Sequence, residues 1–208
     1  EVVLRLTRDL AKNSQIKNLC LAGGVALNCV ANGKLVTDGS FENIWIQPAA
    51  GDAGGSLGAA FCVYHQFKNQ PRKKYGTSDI MKGAYLGPDF SNDEIENRLS
   101  SIGAIWNCSP QDQLIDITAN ALSEGMVVGW FQGRMEFGPR ALGNRSILAD
   151  ARSPDTQKKL NLKIKFRESF RPFAPSVRLE DVSDWFELKN ESPYMLLVAN
   201  IAQHRQIE

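Results

Sequence analysis

The feature that most restricts the fold is a strand–glycine turn–helix pattern that occurs twice in the first third of the chain. The apolar run IKNLCLA ends at Gly23 and Gly24 and leads into a helical pattern over VALNCVANGKLVTDG. The run FENIWIQPA is followed by GDAGGSLGAAFCVYHQFKNQ, which opens another helical pattern. Buried strands that alternate with helices are typical of an α/β domain, in which ligands bind beyond the strand ends.

Each glycine turn carries a candidate ligand-binding group. Gly23 and Gly24 would let a ligand approach the backbone, and free N–H groups at a helix start favour phosphate, although many such turns hold glycines for chain geometry alone. Asp52 has room to coordinate a metal or a ribose hydroxyl, or it caps the helix that follows. Because the turns follow successive strands, we expect both to face one crevice.

Composition narrows the class of protein. The chain has 208 residues, 43% of them hydrophobic, and a net charge of +1, which is typical of a soluble globular protein. No apolar run approaches the roughly 20 residues of a membrane span. The small net charge gives no indication that the protein binds nucleic acid. We predict a cytoplasmic protein with reduced cysteines, of which Cys20, Cys29 and Cys62 are buried. Both ends resemble cuts through a longer protein, so we expect a fragment.

The remaining patterns divide the chain. Residues 2–13 have helical spacing, and the polar stretch NQPRKKYGTSD at 69–79 predicts a domain boundary. Beyond it we predict a strand in KGAYLGPDF, a helix capped at Ser91 and a second capped helix over SPQDQLIDITANALSEG. We then predict the strands MVVGWFQG and SILAD, a helix over SPDTQKKLNLKIK and a late strand in PYMLLVANI.

Positive charge collects in two segments, GRMEFGPRALGNRS, which has no helix or strand period, and KIKFRESFRPFAPSV, which runs into a Pro-Phe-Ala-Pro turn. Guanidinium groups match phosphate oxygens two at a time, and lysine adds a point charge. Interleaved phenylalanines and a leucine favour a partly dry anion pocket over a solvated surface with local partners such as Glu136 and Glu168. The six basic residues of these segments are Arg134, Arg140, Arg145, Lys165, Arg167 and Arg171.

Four motifs, in order, resemble the ATP-dependent O-carbamoyltransferases typified by nodulation proteins and antibiotic-tailoring enzymes: GGVALNCVANGKL, AAGDAGGSLGAA, GRMEFGPRALGNRSILAD and FRESFRPFAPSV. The resemblance implies that residues 1–75 are the C-terminal part of an actin-like ATPase (Kae1-like) domain. It implies that residues 80–208 are most of a YrdC-like α/β domain, which is truncated. The YrdC-like domain would make a carbamoyl-adenylate from carbamoyl phosphate and ATP. In the Kae1-like domain, a hydroxyl of a small-molecule acceptor would then take the carbamoyl group.

The resemblance also implies roles for single residues. A nucleotide would be lined by Gly23, Gly24, Val25 and Asn28, and the six basic residues would grip carbamoyl phosphate and the ATP phosphates. Asp52 would be a ligand of a divalent metal, Fe²⁺ in the full protein, and Mg²⁺ could accompany ATP. The family's histidine ligands belong to a more N-terminal motif that this chain lacks, and His65 and His204 are predicted to be solvent-facing or structural. The fragment would therefore lack the full reaction.

Two alternatives remain open. The hydrogenase-maturation carbamoyltransferases share both domain types, although the wording GPRALGNRS fits the O-carbamoyltransferases better. A non-catalytic nucleotide- or RNA-binding module would use the same basic groove. An RNA groove would show steep salt dependence and no preference for ATP, and the near-zero net charge disfavours it.

Overall fold

The computed structural model describes residues 1–73, 76, 79–188 and 191–206, which form two compact units. Unit 1 comprises Glu1–Leu86, Glu136–Leu142 and Val177–Glu208, and unit 2 comprises Gly87–Met135 and Gly143–Ser176. Of the predicted boundary at 69–79, residues 74, 75, 77 and 78 lie outside the described residues. The division of the family domains at 75 and 80 stays a prediction.

Unit 1 has the predicted alternation of helices and strands. Its elements are α1 (Val2–Ser14), β1 (Asn18–Leu21), α2 (Cys29–Asp38), β2 (Asn43–Ile46) and α3 (Asp52–Cys62), with short helical turns at Gly24–Leu27 and Val63–Phe67. A later helix, Val182–Trp185, also belongs to this unit. Strands β1 and β2 pair in parallel, with Asn18 opposite Asn43 and Leu21 opposite Ile46. The α/β prediction is confirmed at this level.

The predicted burial of three cysteines is wrong. Cys20 and Cys62 are exposed and Cys29 is half-buried, and all are free thiols. The reason for Cys20 is the alternation of side chains along a strand, because Leu19 points into the core and its neighbour must point away. Helix α3, which carries Cys62, buries none of its residues.

The predicted late strand PYMLLVANI is also wrong, and a bridge between Phe186 and Ile201 is all the strand pairing that the described part of this segment shows. Met195 has a left-handed φ of 53°, which interrupts extended backbone. The segment packs on α2 instead, where the buried amide of Asn32 donates hydrogen bonds to the Leu196 carbonyl at 3.0 Å and the Ala26 carbonyl at 2.8 Å.

Unit 2 contains α4 (Asn92–Ser101), α5 (Gln111–Ser123), β3 (Val128–Phe131), β4 (Arg145–Leu148) and a short helix, Thr156–Lys159, that continues as a π-helical turn over Leu160–Ile164. The predicted strands β3 and β4 form an antiparallel pair. The Ser91 cap is confirmed as a capping box, in which the Ser91 hydroxyl accepts the Glu94 N–H. Hydrogen bonds from Ser91 hold the pKa of Glu94 below its ordinary value. The predicted cap of α5 is wrong, because Pro110 precedes it without a side-chain bond.

The predicted strand in KGAYLGPDF does not form. Residues Lys82–Ala84 make a short helical turn in which Lys82, Gly83 and Ala84 all have positive φ, and such a run cannot be extended. None of the described helices is long and apolar enough to cross a membrane.

Two helix glycines offer a matched test of the packing of residues 195–198 on α2. A Cβ at Gly33 would lie 2.5 Å from the Val198 carbonyl oxygen, whereas a Cβ at Gly58 in α3 meets nothing within 4 Å. We expect Gly33→Ala to lower the free energy of unfolding by about 1–3 kcal/mol through overpacking. Gly58→Ala should raise it by about 0.5–1 kcal/mol, because alanine favours the helix. Chemical denaturation of both variants measures this, and a stabilised Gly33→Ala would contradict the packing of residues 195–198 on α2.

Candidate functional site

The two glycine turns of unit 1 lie side by side at the carboxyl ends of the parallel strands. The Gln47 N–H donates to the Leu21 carbonyl at 3.0 Å, and the Gly23 N–H donates to the Ala50 carbonyl at 2.9 Å. These bonds continue the pairing of β1 and β2 beyond the strands themselves. The expectation that both turns face one crevice is confirmed.

A cavity of about 390 Å³ opens at this edge. It is lined by Gly24, Leu27, Gly51, Asp52, Ala53, Gly138 and Pro139, all of unit 1. A larger depression of about 640 Å³ is lined by Cys62, Val63, Gln66 and Phe67. We assign the candidate site to the smaller cavity, because it combines backbone groups with a carboxylate where parallel strands end.

The four residues predicted to line a nucleotide differ in their positions relative to the cavity. Gly24 lines the cavity, and Gly23 is committed to the bond that joins the two turns. Val25 is exposed. The Asn28 side chain caps α2 by accepting the Ala31 N–H at 3.1 Å. Gly24 is therefore the member of this set that the structure places at the cavity, and the nucleotide role of the set stays a prediction.

Asp52 is the first residue of α3 and lines the cavity. Gly51 occupies the N-cap position and Asp52 is the first helical residue, so the alternative reading of Asp52 as the N-cap is not supported. A metal site needs several ligands, and the described residues contain no group of three His, Cys, Asp or Glu side chains that could hold one. Asp52 alone does not fit a bound metal.

Arg140 reaches the same site from a distant part of the sequence. Its Nη2 donates to the Leu27 carbonyl at 3.2 Å, and Pro139 beside it lines the cavity. The Arg140 Nε is buried and has no hydrogen-bond partner among the described residues. An arginine has five N–H donors, and a buried one without a partner is costly. The geometry leaves this guanidinium incompletely satisfied beside a cavity.

The segment Glu136–Leu142, which we call the 136–142 loop, is held at both ends. The Phe137 N–H donates to the Ala84 carbonyl at 2.6 Å, and the Tyr85 hydroxyl donates to the Leu142 carbonyl at 2.7 Å. The buried Glu136 carboxylate accepts the Leu142 N–H at 2.7 Å, which closes the loop on itself. Sequence reasoning named Glu136 only as a possible partner of arginines in the disfavoured solvated-surface alternative, and it missed this role.

A glycine makes the close approach of the 136–142 loop possible. A Cβ at Gly138 would lie 2.6 Å from the Ala49 Cβ, and Gly138 has a φ of 118° that residues with a side chain rarely adopt. The pattern FGPR in the sequence signals a turn but not this contact, because Ala49 lies some ninety positions earlier in the chain.

The Arg145 side chain in unit 2 binds backbone carbonyls of the β3–β4 hairpin to which it belongs. Its Nη1 donates to the carbonyls of Gln132 at 2.7 Å and Asn144 at 2.8 Å, and its Nη2 donates to the Gly133 carbonyl at 3.1 Å. The guanidinium also lies 3.5 Å from the centre of the Phe131 ring, which is a cation–π contact. These contacts support the hairpin between β3 and β4.

Arg134 and Arg171 form exposed ion pairs. Arg134 contacts Asp89 at 3.4 Å, and Arg171 contacts Glu168 at 2.7 Å. The Arg171 guanidinium holds the pKa of Glu168 below its ordinary value. Such pairs contribute little stability, so an incoming anion could compete for either arginine.

Residues 165–171 form an ordered basic loop around a buried amide. Asn161 is fully buried, its Oδ1 accepts the Arg167 Nε at 2.6 Å, and its Nδ2 donates to the Arg171 carbonyl at 2.8 Å. Arg167 also lies 4.9 Å from the centre of the Phe173 ring. Lys165 is exposed and forms no ion pair with the described carboxylates. Sequence reasoning missed Asn161, since a mid-helix asparagine carries no signal of its own.

Comparison with known proteins places both halves of the chain. Residues 1–61 match the family described as "Carbamoyltransferase N-terminus", and residues 119–208 match "Carbamoyltransferase C-terminus". The chain belongs to the carbamoyltransferase family. The cavity draws on both segments of that family, because Gly24 and Asp52 come from the first match and Gly138 and Pro139 from the second.

Curated relatives of the carbamoyltransferase chain agree with this assignment. It is 54% identical over 100% of its length to "Uncharacterized protein sll1178" of Synechocystis sp., of which it covers 34%. It is 42% identical over 97% of its length to nodulation protein NolO of Bradyrhizobium diazoefficiens, of which it covers 37%. It is 36% identical over 89% of its length to a 3'-hydroxymethylcephem-O-carbamoyltransferase of Streptomyces clavuligerus, of which it covers 33%. The chain thus spans about a third of the length of these relatives.

The six basic residues of this carbamoyltransferase chain do not share one compact unit. Arg140 belongs to unit 1, and the other five belong to unit 2. His65 is half-buried against the Gln70 carbonyl, and His204 is exposed beside Asp184, as expected for residues outside the site. The roles of the basic residues in ligand binding stay predictions.

Arg145 and Arg134 offer a test of whether their roles differ. Arg145→Gln removes several bonds to backbone carbonyls and should lower the free energy of unfolding by about 1–3 kcal/mol. Arg134→Gln removes an exposed ion pair and should change it by less than about 1 kcal/mol. Thermal and denaturant unfolding of the two variants measures the difference, and equal effects would refute the structural role of Arg145.

Proposed function

We propose that the full-length protein transfers a carbamoyl group from carbamoyl phosphate to a hydroxyl of a small-molecule acceptor. Water would first hydrolyse carbamoyl phosphate to carbamate and phosphate. A carbamate oxygen would then bond to the α-phosphorus of ATP as pyrophosphate leaves, which gives the carbamoyl-adenylate. The acceptor hydroxyl would then attack the carbamoyl carbon, the bond to the adenylate oxygen would break, and AMP would leave. The matches to both carbamoyltransferase segments and the name of the cephem O-carbamoyltransferase support this proposal.

The observation that carries the proposal is the unsatisfied Arg140 guanidinium beside the cavity. The Nε is enclosed in this structure, so the Arg140 side chain would have to shift from the Leu27 carbonyl for a phosphate or adenylate oxygen to accept charge-assisted hydrogen bonds from its guanidinium. The backbone at Gly24 would allow a nucleotide to approach closely, and Asp52 would bind a ribose hydroxyl. Arginine in this position would stabilise negative charge as the adenylate forms or departs.

In unit 2, we propose that Lys165 and Arg167 bind phosphate groups of carbamoyl phosphate or ATP. Asn161 holds the Arg167 side chain by its Nε, which leaves the terminal nitrogens to face a ligand. Arg134 and Arg171 would join by exchanging their surface ion pairs for the anion. Arg145 would act on the site through the hairpin that it supports.

Further expectations of the family belong to the same proposal. We propose that residues 1–75 are the end of a Kae1-like domain and residues 80–208 most of a YrdC-like domain. A divalent metal, Fe²⁺ or Mg²⁺, would need ligands in addition to Asp52, and the part of the chain described by the structure does not supply them. We therefore assign no step to a metal. The free thiols suit the cytoplasm, where ATP is available.

Arg140 variants of the full-length protein test the proposal. Arg140→Ala should weaken binding of ATP or carbamoyl phosphate by about ten- to a hundredfold, because a charge-assisted bond contributes about 1.5–3 kcal/mol. Arg140→Lys should also bind poorly, because an ammonium cannot replace the guanidinium fork. Isothermal calorimetry with each ligand measures the affinity, and the melting temperature should change little.

Arg152→Ala is the matched control, because Arg152 is exposed and its guanidinium pairs with Asp150. It should bind both ligands as the unmodified protein does. If Arg140→Ala melts early yet binds normally, Arg140 is a structural residue and the proposed site is refuted. Binding that depends steeply on salt without preference for ATP would favour an RNA groove instead.

A further inference from the structure

Unit 1 contains a strained turn at residues 82–84, next to the groups that hold the 136–142 loop. Lys82, Gly83 and Ala84 have φ values of 49°, 69° and 64°, and two of these residues carry a Cβ. Residues with a side chain rarely occupy this left-handed region, and a run of them persists only where surrounding contacts enforce it. Ala84 is almost completely buried, so the turn is part of the packed structure.

Asp79 and Tyr194 supply the enforcing contacts. The Asp79 carboxylate accepts the Met81 N–H at 2.9 Å, the Gly83 N–H at 3.1 Å and a hydrogen bond from the Tyr194 hydroxyl. The Tyr194 hydroxyl oxygen in turn accepts the Gly83 N–H at 3.1 Å. Tyr194 lies more than a hundred positions after the turn, so this is a tertiary contact.

The electrostatics of the pair suit a permanent clamp. Burial alone would raise the pKa of Asp79, but the hydrogen bonds from Tyr194, Gly83 and Met81 outweigh it and hold that pKa below its ordinary value. Burial and the neighbouring carboxylate raise the pKa of Tyr194. Around neutral pH the carboxylate therefore accepts and the phenol donates, so the clamp keeps one protonation state.

The clamped turn contacts both ends of the 136–142 loop. The Ala84 carbonyl accepts the Phe137 N–H at 2.6 Å, and the Tyr85 hydroxyl donates to the Leu142 carbonyl at 2.7 Å. Arg140 lies between these two anchor points. Both anchors come from neighbouring residues of one turn, so a change in the backbone of residues 82–85 would act on both ends of the segment that carries Arg140.

We infer that Asp79 and Tyr194 are positioning residues that orient Arg140 toward the cavity through the turn at residues 82–85. The inference rests on the proposed function in that Arg140 binds the anionic ligand. Neither residue lines the cavity, and neither belongs to the four motifs that resemble the O-carbamoyltransferases. The clamp acts on ligand binding through the backbone of the 136–142 loop.

Amide hydrogen exchange tests the structural half of the inference without any ligand. Tyr194→Phe and Asp79→Asn in the full-length protein should speed exchange at the amides of Gly83, Phe137 and Leu142, while amides of α1 exchange as before. Tyr64→Phe is the control, because Tyr64 is exposed and its hydroxyl has no hydrogen bond to the described residues. Unchanged exchange at Phe137 and Leu142 in both variants would overturn the inference.

Ligand binding tests the positioning half through a double-mutant cycle. Tyr194→Phe should weaken ATP or carbamoyl phosphate binding by about tenfold, the effect of roughly one hydrogen bond, but should add nothing once Arg140 is alanine. A loss that persists in full in the Arg140→Ala background would mean general destabilisation and would overturn positioning. If Arg140→Ala itself binds normally, the proposed function fails, and the exchange measurement still decides whether the clamp holds the loop.

Discussion

The parallel pairing of β1 and β2 is the constraint on which the site depends. Parallel strands end at the same edge of a sheet, so the chain must turn twice at one place, and each turn here is followed by a helix start. The bond from the Gly23 N–H to the Ala50 carbonyl shows that the turns contact one another directly. Without that register, Gly24 and Asp52 would not line the same cavity.

The 136–142 loop adds charge to this edge. The loop can pack this closely on Ala49 because residue 138 is a glycine, and a side chain there would clash with the Ala49 Cβ. Packing encloses the Arg140 Nε, which has no hydrogen-bond partner among the described residues. The same packing that closes the loop therefore restricts the Arg140 side chain beside the cavity-lining residues Leu27 and Pro139.

Local partners separate arginines that look equivalent in the sequence. Arg145 is surrounded by backbone carbonyls and an aromatic ring, Arg134 and Arg171 face single carboxylates, and Arg167 is held through one nitrogen by a buried amide. Hydrogen-bond donors that are already used inside the protein are not available to a phosphate. The contribution of each arginine thus follows from contacts made across turns and between strands.

Periodicity and short-range motifs were sufficient for the alternating helices and strands of residues 2–62 and the Ser91 capping box, because these elements depend on neighbours in the chain. The sequence was also sufficient to recognise the family, because four long motifs occur in the order expected for carbamoyltransferases. The left-handed turn at 82–84 and the packing of segment 195–198 on α2 depended on residues far away in sequence. The sequence by itself therefore determined the repeated turn and its glycines. Only the tertiary structure decided that Arg140 bonds to Leu27 at the cavity edge, because a guanidinium is oriented by the backbone and side chains packed around it.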